Sequence, residues 1–253
     1  MSFWEHETEK GTLGVVAKML KAKIISAVSA ERVLVLSPHP DDDVIGCGGL
    51  LKLLAGDGAK IKVVYFSDGS FGTKDKSHNK SLIPIREEET REAGKMIGVG
   101  EEKFLRLSDL HLQSSPDLAA QIRREIEFDK PDLILAPSFE DLHPDHLAVA
   151  EVLYLSLRNF DDHINIWLYE VWGLSRFNRL VIINDTIEDK IDALRVHKTQ
   201  MANRAYDEAI LGLNKYRAMF AGVDGYAEAY YSTGPRNYRR LFEVFSRHHE
   251  SKR

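Results

Sequence analysis

From Arg32 onward, apolar runs of five to seven residues alternate with stretches of helical periodicity. Few arrangements satisfy that alternation other than a mostly parallel sheet with helices on both faces. The runs are Val33 to Ser37, Ile61 to Ser67, Lys103 to Leu107 and Asp132 to Ser138, followed by Ile164 to Trp172 and Arg179 to Asn184. Helical spacing covers Val44 to Leu54, Pro84 to Ile97, Asp117 to Phe128, a stretch starting near His146, and Thr186 to Met201. The segment after Met201 reads as helical, and Leu241 to Phe245 fits a strand or a helix equally well. The expected class is α/β, a Rossmann-like three-layer sandwich with a mostly parallel central sheet. No repeat, low-complexity tract or Pro/Gly-rich linker divides the chain, so residues 1–253 are expected to form a single domain. Thr12 to Val28 has apolar positions at helical spacing with Lys between them, which makes residues 1–30 an expected N-terminal helical extension.

Composition narrows the function. The net charge of -5 arises from 34 basic and 39 acidic residues spread along the chain. With no basic stripe to meet a phosphate backbone, nucleic acid is not an expected partner. Cys47 is the only cysteine, which excludes an internal disulfide and a Cys-rich zinc site, so a metal here must use His and carboxylate. The N-terminus, MSFWEHETEKGTL, carries three Glu before any apolar stretch. No apolar run approaches the roughly 20 residues that cross a bilayer. The expectation is a cytoplasmic protein without membrane insertion.

In an open parallel sheet, ligands bind outside the carboxyl ends of the strands. Two strand exits here cluster imidazole with carboxylate: Pro38-His39-Pro40-Asp41-Asp42-Asp43, and Phe139-Glu140-Asp141-Leu142-His143-Pro144-Asp145-His146. The prolines restrict the backbone beside them and so present their neighbours at low entropic cost. His39 and Asp42 can converge across their turn, and His146, opening the next helix, can reach the same point from another strand. Two imidazoles, one carboxylate and an open position for water make a catalytic zinc set, because closed structural sites use four protein ligands. Asp41 and His143 then stand beside the ligands as an acid-base pair. A zinc ion would lower the pKa of bound water from about 15.7 toward about 7. Asp41 would take its proton, and a protonated His143, oriented by Asp145, would help to stabilise the oxyanion and supply the leaving amine. Either motif alone reads as an acid-rich helix cap; their pairing at two strand exits carries the inference.

His39-Pro40-Asp41-Asp42 followed by Gly46-Cys47-Gly48-Gly49, and the later His143-Pro144-Asp145-His146, resemble the PIG-L/LmbE family of N-deacetylases. The likeness continues through Ser67-Asp68-Gly69, Arg86-Glu87-Glu88-Glu89, His197-Lys198-Thr199-Gln200 and Tyr226-Ala227-Glu228-Ala229. The resemblance implies a Zn2+ enzyme, with Fe2+ as another divalent ion for the site, that removes an acetyl group from an N-acetylglucosamine-containing small molecule. It places the metal on His39, Asp42 and His146, with Asp41 as general base and His143 as acid or cation. It further implies that Arg86 binds substrate, that Asp109 contacts sugar hydroxyls, and that the chain assembles as a homo-oligomer, a trimer or hexamer.

Two other readings use the same residues. Two His and one carboxylate also form the triad of non-haem iron oxygenases, although Asp41 beside the ligands is a hydrolytic base that an oxygenase does not need. A non-catalytic metal- or glycan-binding protein would not need the acid-base pair at all. Cys47 among its glycines reads as a packing residue, and His197 as a buried structural histidine. Among Trp167, Tyr169 and Trp172, any one has a face that can stack on a pyranose.

Overall fold

The computed structural model describes residues 22–72, 79–160, 163–202 and 204–250. Its strands are β1 (Lys23–Ile25), β2 (Arg32–Ser37), β3 (Lys60–Ser67), β4 (Glu101–Leu107), β5 (Leu133–Pro137), β6 (Asn165–Tyr169), β7 (Arg179–Ile182) and β8 (Ala227–Thr233). They form one sheet in the order β1-β7-β8-β6-β5-β2-β3-β4. β8 pairs antiparallel with both β6 and β7, and every other pairing is parallel. The helices are α1 (Asp42–Gly56), α2 (Leu82–Ile97), α3 (Pro116–Asp129), α4 (Pro144–Ser156), α5 (Ile187–Val196), α6 (Lys198–Met201), α7 (Tyr206–Ala221) and α8 (Pro235–Glu250).

The unbroken apolar run of β2 follows from burial on both faces. Val33 and Val35 pack with α1, α2 and α5 residues such as Leu50, Ile97 and Leu194. Leu34 and Leu36, pointing the other way, pack with α3, α4 and α8 residues such as Ile122, Val149 and Phe242. Strand period two therefore feeds two separate cores, which is the three-layer sandwich expected from sequence. The chain order reverses direction across the sheet between β2 and β5, and the loops leaving those two neighbouring strands carry the two His/Asp motifs.

Three expectations need correction. Thr12 to Val28 is not one helix where the chain is described: residues 23–25 form β1 on the edge of β7, and residues 12–21 lie outside the described residues. The segment after Met201 is not helical throughout, because Ala227–Thr233 fills the gap between β6 and β7 as the one reversed strand. The helical stretch from Thr186 to Met201 is interrupted at His197, whose ψ of 61° leaves the helical region and separates α5 from α6. Leu241 to Phe245 belongs to α8.

The glycines after the first motif set how closely α1 approaches the sheet. A Cβ on Gly46 would stand 2.2 Å from the Tyr169 ring. Cys47 is buried and donates its thiol to the Asp43 carbonyl, a packing role as expected. From the other side, Glu228 of β8 accepts the backbone N–H groups of Gly49 and Leu50, the Tyr230 hydroxyl and the Lys190 ammonium. This satisfied buried ion pair fixes the helix that begins at the first motif. Among the described residues no helix is long and apolar enough to cross a membrane.

Candidate metal centre and active site

β2 ends at Ser37, whose hydroxyl donates to the His39 carbonyl (2.8 Å) and accepts the Asp43 N–H (3.2 Å). That turn is closed by Asp42, whose Oδ2 accepts the His39 N–H at 2.9 Å. Asp42 and Asp43 occupy the first turn of α1, where the helix dipole favours negative charge. At the second exit, Asp141 Oδ1 accepts the His143 N–H (2.9 Å), and His143 caps α4 by accepting the Asp145 N–H on Nδ1 (3.2 Å). Pro144 then opens the helix at a position where a backbone N–H would have no intrahelical acceptor, so its missing donor costs nothing, and His146 follows in the same turn.

These turns bring three donor atoms together. Asp42 Oδ2 lies 2.9 Å from His39 Nδ1 and 3.1 Å from His146 Nε2, and the two ring nitrogens are 3.3 Å apart. Ligands at zinc bond lengths in a tetrahedron sit about 3.3 Å from each other, so the triangle has the edge length that a small divalent ion requires. The opposite ring nitrogens face carboxylates. His39 Nε2 is 3.2 Å from Asp145 Oδ2 and 3.3 Å from Asp109 Oδ1, while His146 Nδ1 is 3.3 Å from Asp141 Oδ2. Carboxylates behind metal-bound imidazoles fix the tautomer and raise ligand basicity. Two other sets, His39/His143/His146 and His39/Asp109/Asp145, also have donors within 4.8 Å of one another. Both share His39, but Asp109 and Asp145 approach its far nitrogen, the side turned from Asp42 and His146.

Charge makes the same point. Asp41, Asp42, Asp109, Asp141 and Asp145 are all buried here, and Arg86 is the fixed cation among them. Burial raises the cost of the Asp42 charge, yet His146 and His39 hold its carboxyl well below the usual range. Burial likewise opposes charge on His39 and His146, but Asp42 beside them raises both. A centre that draws positive charge this strongly fits a bound cation.

The remaining expected residues divide. Asp41, Asp42, His39 and His143 line one cavity of about 270 Å3 with Arg86, Asp109 and Trp172. Asp41 is pushed up to about 6 by burial, against the Arg86 guanidinium. Arg86 reaches it at 3.4 Å and donates to the Gly69 carbonyl at 2.8 Å. Gly69 has φ +64° and its Cβ would stand 2.5 Å from Arg86 Nη1, so the conformation and the close approach both require glycine. Asp109 accepts the Phe71 and Leu110 N–H groups and faces His39, so its carboxylate is largely committed within the protein. Asp145 does not orient His143 through its side chain. Its carboxylate accepts the Leu110 and Leu112 N–H groups and supports His39; only its backbone touches His143. His143 is pushed down to about 4 by burial and the neighbouring imidazoles, and its Nδ1 accepts a hydrogen bond. Both observations favour a neutral ring with its proton on Nε2, where the sequence reading has His143 protonated. Asp43 turns away to accept the Tyr65 hydroxyl, and His197 is buried outside the cavity lining.

One participant, Asp141, has no role in the sequence reading. Asp141 holds His146, the His143 N–H and the Trp172 N–H (3.0 Å) with one carboxylate. Its position two residues before His143, at a helix entry, was the available signal. Asp141→Asn is expected to weaken metal binding roughly 10- to 100-fold, as read by competition with a chromogenic chelator; unchanged affinity would limit Asp141 to capping the loop. Of the three candidate aromatics, Trp167 and Tyr169 are buried in β6, whereas Trp172 is 40% exposed and lines the cavity.

Comparison with known proteins finds matches over the stretch that holds these residues. The family described as PIG-L: GlcNAc-PI de-N-acetylase matches residues 34–155, a span that opens in β2 and closes in α4 and so contains both motifs. The chain is 28% identical over 195 residues to a diacetylchitobiose deacetylase of Thermococcus kodakarensis, covering 70% of this chain and 73% of that protein. It is 29% identical over 185 residues to a Bacillus subtilis protein named "Probable N-acetyl-alpha-D-glucosaminyl L-malate deacetylase 2", covering 67% and 83%. Among solved structures, the N,N'-diacetylchitobiose deacetylase from Pyrococcus horikoshii with its inhibitor MPG superposes with a TM-score of 0.74 at 27% identity, over 83% of this chain and 86% of that one.

Proposed function

We propose that this chain, which carries a PIG-L domain over residues 34–155, is a metal-dependent N-deacetylase that releases acetate from an N-acetylglucosamine-containing small molecule. The observation that carries the reading is the triangle of His39 Nδ1, Asp42 Oδ2 and His146 Nε2, with Asp41 and His143 lining the cavity beside it.

His39, Asp42 and His146 would hold the ion, and zinc suits this N2O donor set. When bound, such a cation supplies a Lewis acid for the amide carbonyl and for the attacking water. Asp41, buried in the cavity wall, accepts a proton from the water as its oxygen bonds to the acyl carbon. Arg86 steadies Asp41 and keeps that carboxylate from rotating out of the cavity. The neutral His143 donates from Nε2–H to the oxygen that gains charge as the carbonyl is attacked. Its cap on α4 fixes the direction of that donation. Asp41 then returns its proton to the nitrogen as the C–N bond breaks, leaving acetic acid and a free amine; the acid ionises to acetate by giving its proton to the amine or to bulk water. One carboxylate thus serves as base and acid in turn.

The test is amine release from N-acetylglucosamine, diacetylchitobiose and N-acetylglucosaminyl conjugates, with and without a chelator. Activity abolished by the chelator and restored by zinc is the expected result. Chelator-resistant amine release would contradict the metal-dependent reading.

A further inference from the structure

We infer that Trp172 is a positioning residue for the reaction: its indole backs the His143 imidazole, keeps the Nε2–H aimed at the oxygen that gains charge, and is not a platform for the sugar. The inference rests on the deacetylase reading and assigns to that reaction a residue outside both His/Asp motifs.

Hydrogen bonding alone does not fix the His143 ring. Its Nδ1 accepts the Asp145 N–H at 3.2 Å, and Nε2 is kept for the substrate. The second side-chain torsion of histidine is broad, so an imidazole held at one atom can still tilt, and its direction depends on what packs against it. The two ligand imidazoles meet it from the metal centre, His39 edge-on with centroids 4.7 Å apart and His146 tilted by 40° at 4.9 Å. The third ring is Trp172, at 25° to the imidazole with centroids 6.4 Å apart. Among the described residues it is the one aromatic neighbour of His143 that is not itself at the triangle.

Trp172 is in turn held on every side that matters for its direction. Its N–H goes to Asp141 Oδ2 at 3.0 Å, while Asp141 Oδ1 takes the His143 N–H at 2.9 Å, so one carboxylate sets the backbone of both residues. Behind Trp172 the loop is closed by Glu170, which accepts the Ser175 N–H at 2.7 Å and the Arg217 Nε–H of α7 at 2.9 Å. Glu170 and Arg217 are both buried, and a buried pair with its hydrogen bonds satisfied makes the local geometry rigid. The far end of the loop is tied to the strand exit that carries His143, through Arg176 N–H to Glu140 at 2.9 Å and its Nε–H to the same carboxylate at 2.6 Å. A pyranose stacks on a bare aromatic face, but the Arg204 guanidinium already lies over this ring, 5.0 Å from its centroid, and Tyr206 meets it edge-on at 6.0 Å. What this clamped indole does face is the group that must donate to the developing oxyanion, a contribution that depends on placement to within a fraction of an ångström.

The experiment is steady-state amine release from diacetylchitobiose by the zinc-loaded protein, as wild type and Trp172→Ala, each with and without His143→Ala. Trp172→Ala is expected to lower kcat roughly 10- to 100-fold, part of the range that a whole oxyanion donor contributes. KM is expected to stay within about threefold, because ground-state binding is not what the indole serves. Trp172→Phe, which keeps a flat ring behind the imidazole, is expected to retain most of the activity. In His143→Ala the loss of Trp172 is expected to cost less than about twofold, since the residue it acts through has gone. An unchanged kcat, or an equal loss in the two backgrounds, would overturn the inference, and a raised KM with kcat kept would make Trp172 a sugar contact instead. Crystal structures of zinc-loaded wild type and Trp172→Ala read the ring itself: a His143 imidazole unmoved in the variant would overturn the inference whatever the kinetics. Wild-type protein that releases no amine, with an imidazole that turns in Trp172→Ala, would sink the deacetylase reading and leave the positioning role standing.

Discussion

Asp41→Asn is expected to lower kcat for amine release by roughly 10^2- to 10^4-fold, the range that general acid-base groups contribute, while the protein keeps its full metal content. The substitution preserves size and leaves the triangle of His39, Asp42 and His146 untouched, so the ligands have no reason to move. Arg86 loses its charged partner but keeps the Gly69 carbonyl. What disappears is, among the described residues, the one carboxylate on the cavity wall that is placed to take the proton of the attacking water without also supporting a ligand imidazole. Amine release measured under saturating substrate, with metal counted on the same sample, checks both halves. Undiminished turnover would remove Asp41 from the mechanism, and lost metal would make it a ligand.

The second large effect is expected from His146→Ala. His146 is fully buried and contributes one corner of the triangle. Its removal leaves Asp42 and Asp141 facing each other across a void, with two donors instead of three for the ion. Wild-type protein should gain thermal stability on adding zinc, because an ion that binds the folded state alone contributes about 4 kcal/mol when present at roughly a thousandfold excess over Kd. The variant should show almost none of that gain, and turnover should fall to background. A zinc-dependent rise in Tm of wild-type size in His146→Ala would place the ion elsewhere.

The sequence carried the parts of this architecture whose cause is local. β2 and β5 are legible because a strand buried on both faces must be apolar at every position, and the His/Asp motifs are legible because Pro38, Pro40 and Pro144 mark the turns that present them. The reversed strand β8 was hidden, since Ala227–Thr233 becomes a strand through pairing with β6 and β7, partners more than 40 residues earlier in the chain. The break at His197 was hidden for a similar reason: α5 and α6 share one helical periodicity.

Within the site, residue types and spacing indicated which groups converge but not which atom of each faces which neighbour. Asp145 stands beside His143 in sequence, yet α4 turns its carboxylate toward His39 from the other motif. The sequence reading has His143 protonated, whereas its cap on the Asp145 N–H and its burial beside two other imidazoles favour the neutral ring. Asp141 is not legible in the sequence because its importance lies in joining His146, His143 and Trp172, a relation that only folding creates.

The most direct measurement is anomalous diffraction at the zinc edge from crystals of the metal-loaded protein. A single strong peak bonded to His39 Nδ1, Asp42 Oδ2 and His146 Nε2, with Asp141 and Asp145 behind the imidazoles, is the expected result. A peak bound by other side chains, or none at full metal loading, would contradict the convergence of the two motifs on one ion.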